Sequence, residues 1–201
     1  MTGTDAGNPG PVRAFLRLVA FEHSVFALPF AYLAALTAMK LTPPAQPNLG
    51  APEPGTIRAV VGVRAGPAGW IDWDVLLLIT VAMVGARTFA MAANRIIDRR
   101  IDAQNPRTAG RELVTGVVSV RTAWWGAGVA LVVFLAAAAA LNPLCLALAP
   151  LAVIPLVVYP YAKRFTDYPH AILGLAQAIG PMGGWLAVTG TFDGALPAVL
   201  L

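Results

Sequence analysis

The stretch Trp73–Asp102 reads WDVLLLITVAMVGARTFAMAANRIIDRRID, and its two parts decide the fold. Trp73 to Ala93 is far more apolar than the nine residues after it and has the length of a helix crossing ~30 Å of hydrocarbon. From Asn94 onward the stretch places an amide and two carboxylates, Asn94, Asp98 and Asp102, at i, i+4 and i+8. On a helix such residues sit nearly above one another, drifting about 40° per step. They form one oxygen-rich stripe with arginines beside it. Oxygen donors suit a hard cation such as Mg²⁺, which takes one or two carboxylates and fills its shell with water and substrate phosphate. The stretch predicts a membrane helix whose polar end serves a metal and a phosphate.

The rest of the chain repeats the apolar half of that pattern. Of 201 residues 58% are hydrophobic and only 12% are charged, against roughly 25% charged in soluble domains. Further apolar runs lie at about 18–39, 123–141, 144–160 and 171–189, and another begins near 195. The expected fold class is all-α: a polytopic transmembrane helical bundle of about five complete spans plus the start of a sixth. The first run is longer than a signal-peptide core and further spans come after it, so it reads as retained.

The formal net charge of +4 is not a nucleic-acid signature, because the positive residues cluster at alternate ends of the spans. Arg13 and Arg17 precede the first, Arg95 to Arg121 lie between the second and third, and Lys163 and Arg164 come after the fourth. These segments share one side of an alternating bundle, and the positive-inside rule makes that side cytoplasmic. The expected location is a bacterial plasma membrane, with the N-terminus and the 94–121 loop in the cytoplasm. Cys145 is the single cysteine, so no intramolecular disulfide is possible. Its apolar surroundings predict a packed small residue.

Residues 1–16 read as a disordered N-terminus, and 17–201 as one transmembrane domain. Within it, 42–69 is an irregular loop carrying six prolines: Pro43, Pro44, Pro47, Pro52, Pro54 and Pro67. Pro29 predicts a kink in the first span. Asn105-Pro106 ends the second helix, and Ser119 is a candidate cap for the third span. Gly180, Gly183 and Gly184 read as positions of close helix packing.

Charge near a bilayer centre costs about 2.5–3.5 kcal/mol per residue even on the mild insertion scale. The ionic residues therefore belong at the membrane edge or in a polar cavity. A plain stop-transfer flank explains the arginines, though not the shared face of Asn94, Asp98 and Asp102. Arg107 and Arg111 offer planar forks suited to phosphate oxygens, and Lys163 and Arg164 return to the same side. Metal, forks and lysine together describe a diphosphate site. Glu22 and His23 fit either an interfacial position or a substrate contact, and Trp124, Trp125 and Tyr168 fit a membrane-interface belt.

With these residues in place, the chain resembles the UbiA family of intramembrane aromatic prenyltransferases. The match is carried by Asn94-x-x-x-Asp98-x-x-x-Asp102, then Arg107-Thr108-x-x-Arg111 and Gly116. Residues 21–31, FEHSVFALPFA, are similar to the first helix of the 4-hydroxybenzoate polyprenyltransferase-like subgroup. Residues 159–166, YPYAKRFT, resemble the loop after the fourth helix, and 184–190, GWLAVTG, also fits. The resemblance implies a bundle, normally of nine spans, around a cavity open to lipid. It implies transfer of a polyprenyl group from polyprenyl diphosphate to an aromatic acid, 4-hydroxybenzoate or a dihydroxynaphthoate, in ubiquinone or menaquinone biosynthesis. By the same resemblance Asn94, Asp98 and Asp102 are the first Mg²⁺ site, and Arg107, Arg111 and Lys163 contact diphosphate. Arg164, with Tyr161 beside it, is the candidate for an aromatic carboxylate.

Two departures stand out. The 42–69 loop is longer than usual for this family, and the family's second aspartate motif is missing: after Asp102 the only aspartates are Asp167 and Asp193. The expectation is a C-terminally truncated chain, or one completed by a partner. An inactive membrane fragment and a transporter are the competing function classes. The transporter predicts no Mg²⁺–diphosphate binding.

Overall fold

The computed structural model describes Phe15, Leu18 and residues 28–41 and 71–193. Most of the N-terminal segment, Glu22 and His23, the whole 42–69 proline-rich loop and the run from 195 lie outside the described residues. Six helices succeed one another among the described residues from 28 onward: α1 (Leu28–Leu41), α2 (Trp73–Asp102), α3 (Glu112–Thr115), α4 (Val120–Leu141), α5 (Pro143–Ala162) and α6 (Pro169–Thr189). No strand occurs among the described residues. Four of the helices, α2, α4, α5 and α6, are long and apolar enough to cross a membrane, and α1 is a shorter apolar helix. The chain is an all-helical integral membrane protein.

Local chemistry sets the boundaries. Asp72 caps α2 by accepting from the Val75 N–H at 3.2 Å. At 30 residues and 1.5 Å per residue, α2 is about 45 Å long. It thus outruns the hydrocarbon and carries its last turns, with the polar stripe, beyond it. Ser119 caps α4 as expected, accepting from the Thr122 N–H at 3.0 Å. Asn142 caps α5 through the Cys145 N–H at 2.8 Å, with Pro143 at the first helical position, where its missing N–H is harmless. The Asn142 amide also donates to the Leu186 carbonyl at 2.8 Å. One residue thereby caps a helix and ties the α4–α5 corner to the end of α6. Pro29 falls at the second residue of α1 as described, so the expected kink lies outside the described residues.

Small residues bring the helices together, as membrane bundles require. Ala31, Ala34, Ala35 and Ala38 are buried along one side of α1. A Cβ on Gly184 of α6 would strike the Ala31 backbone, and one on Gly85 of α2 would lie 3.0 Å from the Ala130 carbonyl oxygen and the Phe134 nitrogen of α4. A Cβ on Gly180 would lie 3.4 Å from the flexible end of Met83, whereas one on Gly183 would meet nothing within 4 Å. Of the three glycines expected at close contacts, Gly184 makes the tight one and Gly183 none among the described residues. Leu77, Trp125, Val132 and Leu151 are all at least 60% exposed. That is an apolar exterior suited to lipid, with Cys145 half-buried inside it.

Among the described residues two clusters of buried side chains fill the bundle. One joins α1, the start of α2 and the end of α6. The other packs Phe89, Ala92 and Ala93 of α2 against Leu113, Val118, Ala123 and Ala127. This second cluster lies directly behind the polar end of α2.

Candidate diphosphate and metal site

The segment after α2 folds back over the helix end that it leaves. The Thr108 hydroxyl, buried, donates to the Asp102 carbonyl at 3.0 Å, and the Asn105 side chain accepts from the Arg107 N–H at 3.0 Å. The Arg99 Nε donates to the Leu113 carbonyl at 3.1 Å. Gly116 ends α3 with φ of 81° and open space where a Cβ would stand, a left-handed turn that glycine adopts without strain. These bonds aim Arg107 and Arg111 back at the stripe.

The result is a cavity of about 290 Å³ walled by Met91, Asn94, Arg95, Asp98 and Asp102 of α2, by Asn105, Arg107, Thr108 and Arg111 of the returning segment, and by Lys163 at the end of α5. Asn94, Asp98, Asp102, Arg107, Arg111 and Lys163, drawn from three separated parts of the sequence, share this one wall. Asp98 and Asp102 are 8% and 7% exposed, so both carboxylates need partners. Asp102 Oδ2 meets Arg111 Nη1 at 2.5 Å. Asp98 is held by Lys163 Nζ at 3.5 Å and Arg164 Nη2 at 3.3 Å.

Arg164 and Tyr161 stand apart from this wall. The Arg164 guanidinium donates to the Ile97 carbonyl at 2.8 Å and to Asp98, and it lies 5.3 Å from the centre of the Tyr161 ring. Lys163 stacks in the same manner, 4.4 Å over Tyr159. A larger open hollow of about 560 Å³, lined by Val120, Arg121, Trp124, Trp125 and Gly128, lies on the outer side of α4. With one ionic group and two exposed tryptophans it belongs to the lipid-facing surface.

Two arginines carry signals that residue spacing alone does not single out. Arg95 lines the cavity, and its Nη1 is buried with no hydrogen-bond partner, as is the Nε of Arg87. Arg87 precedes Asn94 by seven residues and so shares its helix face, two turns deeper. A lone arginine inside an apolar span is itself the signal that could have found it.

No group of three or more His, Cys, Asp and Glu side chains placed to hold a metal occurs among the described residues. Mg²⁺ does not demand one, since a carboxylate or two and substrate phosphates complete its shell. The donors present, two buried carboxylates and an amide on one stripe in a cavity also lined by Arg95, Arg107, Arg111 and Lys163, fit that ion.

Comparison with known proteins agrees with the fold. Residues 56–201 match the UbiA prenyltransferase family. A 4-hydroxybenzoate octaprenyltransferase of Albidiferax ferrireducens is 35% identical over 129 residues, 64% of this chain and 43% of that protein. A protoheme IX farnesyltransferase 2 of Pseudoalteromonas atlantica is 37% identical over 136 residues, 66% of this chain and 45% of that protein. The solved apo structure of a UbiA homolog from Aeropyrum pernix K1 superposes with a TM-score of 0.67 at 34% identity, covering 90% of this chain and 55% of that one. The chain spans less than half the length of these two curated relatives. With most of its residues matched and its bundle shared, the chain belongs to the UbiA prenyltransferase family.

Proposed function

We propose that this chain supplies the metal- and diphosphate-binding part of a polyprenyltransferase that moves a polyprenyl group from its diphosphate to an aromatic ring. The observation that carries the reading is the convergence of Asn94, Asp98, Asp102, Arg107, Arg111 and Lys163 on one cavity. Four cations there face two carboxylates, an excess that suits an anion of at least two charges.

Asn94, Asp98 and Asp102 would hold Mg²⁺, which when bound neutralises the leaving diphosphate. Arg107, Arg111 and Lys163 bind the phosphate oxygens and keep them aligned at the cavity mouth. The apolar bundle beside the cavity receives the prenyl tail and excludes water from the allylic carbon. The ring carbon of the acceptor is the nucleophile, so no Ser/His/Asp arrangement is needed. Arg164 acts here chiefly by orienting Asp98. For the acceptor's anionic group Arg87, with its free buried Nε, is a stronger candidate than the Arg164–Tyr161 pair.

The positive residues at one end of the spans support a cytoplasmic site. The acceptor is 4-hydroxybenzoate or a dihydroxynaphthoate, and the relative named as a protoheme IX farnesyltransferase adds protoheme IX to the set. Membranes containing the chain, supplied with radiolabelled prenyl diphosphate, Mg²⁺ and each acceptor in turn, test the reading. Label must enter one acceptor, require Mg²⁺ and vanish in Asp98→Ala. Unchanged labelling in that variant sinks the metal assignment. No labelling by the unaltered chain supports the inactive-fragment alternative.

A further inference from the structure

The four cations of the cavity are not equivalent. Arg111 is engaged with Asp102, and Lys163 with Asp98. Arg107 is exposed to solvent. Arg95 alone among them has a buried donor atom, Nη1, with nothing to bond. Its charged neighbours are Arg111, Glu112 and Asp102, so one of the closest is another guanidinium. An unmade buried donor is rare in folded proteins and marks a place where a ligand, ion or water completes the set. Two guanidiniums side by side, one already committed, describe a receptor awaiting an anion.

Helix register gives Arg95 a definite place. It precedes Asp98 by three residues and Asp102 by seven, so it shares their face and lies one to two turns nearer the apolar part of α2. Met91, the apolar member of the cavity wall, is one turn deeper again. Arg95 therefore stands where the ionic cavity gives way to hydrocarbon.

We infer that Arg95 is a further diphosphate-binding residue and that it holds the phosphate attached to the prenyl chain. Arg107 and Arg111 then serve the distal phosphate at the cavity mouth. The inference rests on the diphosphate reading of the cavity, and it assigns the vacant Nη1 to the end of the anion that must enter the bundle with its tail.

Calorimetry on the 201-residue chain in nanodiscs tests it, with Mg²⁺ present and three probes: inorganic diphosphate, farnesyl thiodiphosphate and farnesyl monophosphate. Arg95→Met should weaken all three by about tenfold, the scale of one charged hydrogen bond, and Arg95→Lys should recover part of the loss. Without any anion, Arg95→Met should melt at or above the unaltered protein's temperature, because it removes a desolvated and unpartnered donor. A structural arginine would behave oppositely, losing stability and binding together with no rescue by lysine. That pattern, or binding within twofold of the unaltered chain, overturns the inference. Losses confined to the two diphosphates overturn the assignment to the chain-proximal phosphate. Arg111→Gln separates the two layers of the argument. If it weakens diphosphate binding and Arg95→Met does not, only the Arg95 inference falls. If the unaltered chain binds none of the probes, the diphosphate reading falls with it.

Discussion

The two ends of α2 are built on opposite principles. Toward its start, Val75, Leu76 and Ile79 pack into the cluster that includes the alanines of α1 and Leu186 to Val188 of α6. Toward its end, Asp98 and Asp102 are met by Lys163, Arg164 and Arg111, with cations left over. The first region gains its stability from close van der Waals fit, where one extra carbon is too many. The second is ionic and leaves a buried donor unused, which favours a charged guest over the empty state. A helix that runs from one environment to the other lets a lipid-embedded scaffold fix the geometry of a polar site.

Substitutions should therefore divide by region. The largest effect is expected at the ionic end: Asp98→Ala or Asp102→Ala should reduce Mg²⁺-dependent prenyl transfer by about a hundredfold or more, the scale of removing a directed electrostatic contact, while α-helical circular dichroism stays constant. Each also strands a cation, so a large drop in melting temperature together with the loss would blur the division. Next comes Gly184→Val at the apolar end, which must displace the Ala31 backbone. It should cost about 1–3 kcal/mol of stability, read as an earlier thermal midpoint in detergent, with diphosphate affinity of the folded fraction unchanged. Asn142→Ala removes a helix cap and the bond to α6. A loss of about 1–2 kcal/mol is expected, again without effect on anion binding. The smallest effect belongs to Gly183→Ala, adjacent to Gly184 and with open space around it. It should be neutral or stabilise by up to ~1 kcal/mol, and a large loss there would show that this side of α6 is covered.

Much of this was legible because a bilayer permits few backbone solutions. An apolar run of span length must be a helix, so hydropathy alone yields α2, α4, α5 and α6, and the Asn94–Asp98–Asp102 spacing extends α2 beyond the hydrocarbon. The run read as 144–160 is Pro143–Ala162, because Asn142 caps it and Pro143 can start it. Pro150, Pro155 and Pro160 lie inside that helix, where a soluble protein would break. The part that spacing does not reveal depends on how helices rotate against one another. The committal of Arg164 to Asp98 needs the end of α5 to meet α2 at that turn. The freedom of Arg95 is evident only once Arg111 has been seen to take Asp102. Gly183 and Gly184 are indistinguishable as letters, yet one step around α6 separates open space from the α1 backbone.

The corner at Asn142 also bears on how the protein is made. As α4 and α5 leave the translocation machinery they can enter the bilayer as a hairpin, with Asn142 already capping α5. Its amide donor has no acceptor within that hairpin, since Leu186 and Ala187 belong to a segment synthesised later. The hairpin thus waits with one polar group unsatisfied on the side of the membrane away from the ionic cavity, and the arrival of α6 closes it. Asn142 thus joins the α4–α5 corner to α6 through a contact that α4 and α5 cannot make between themselves.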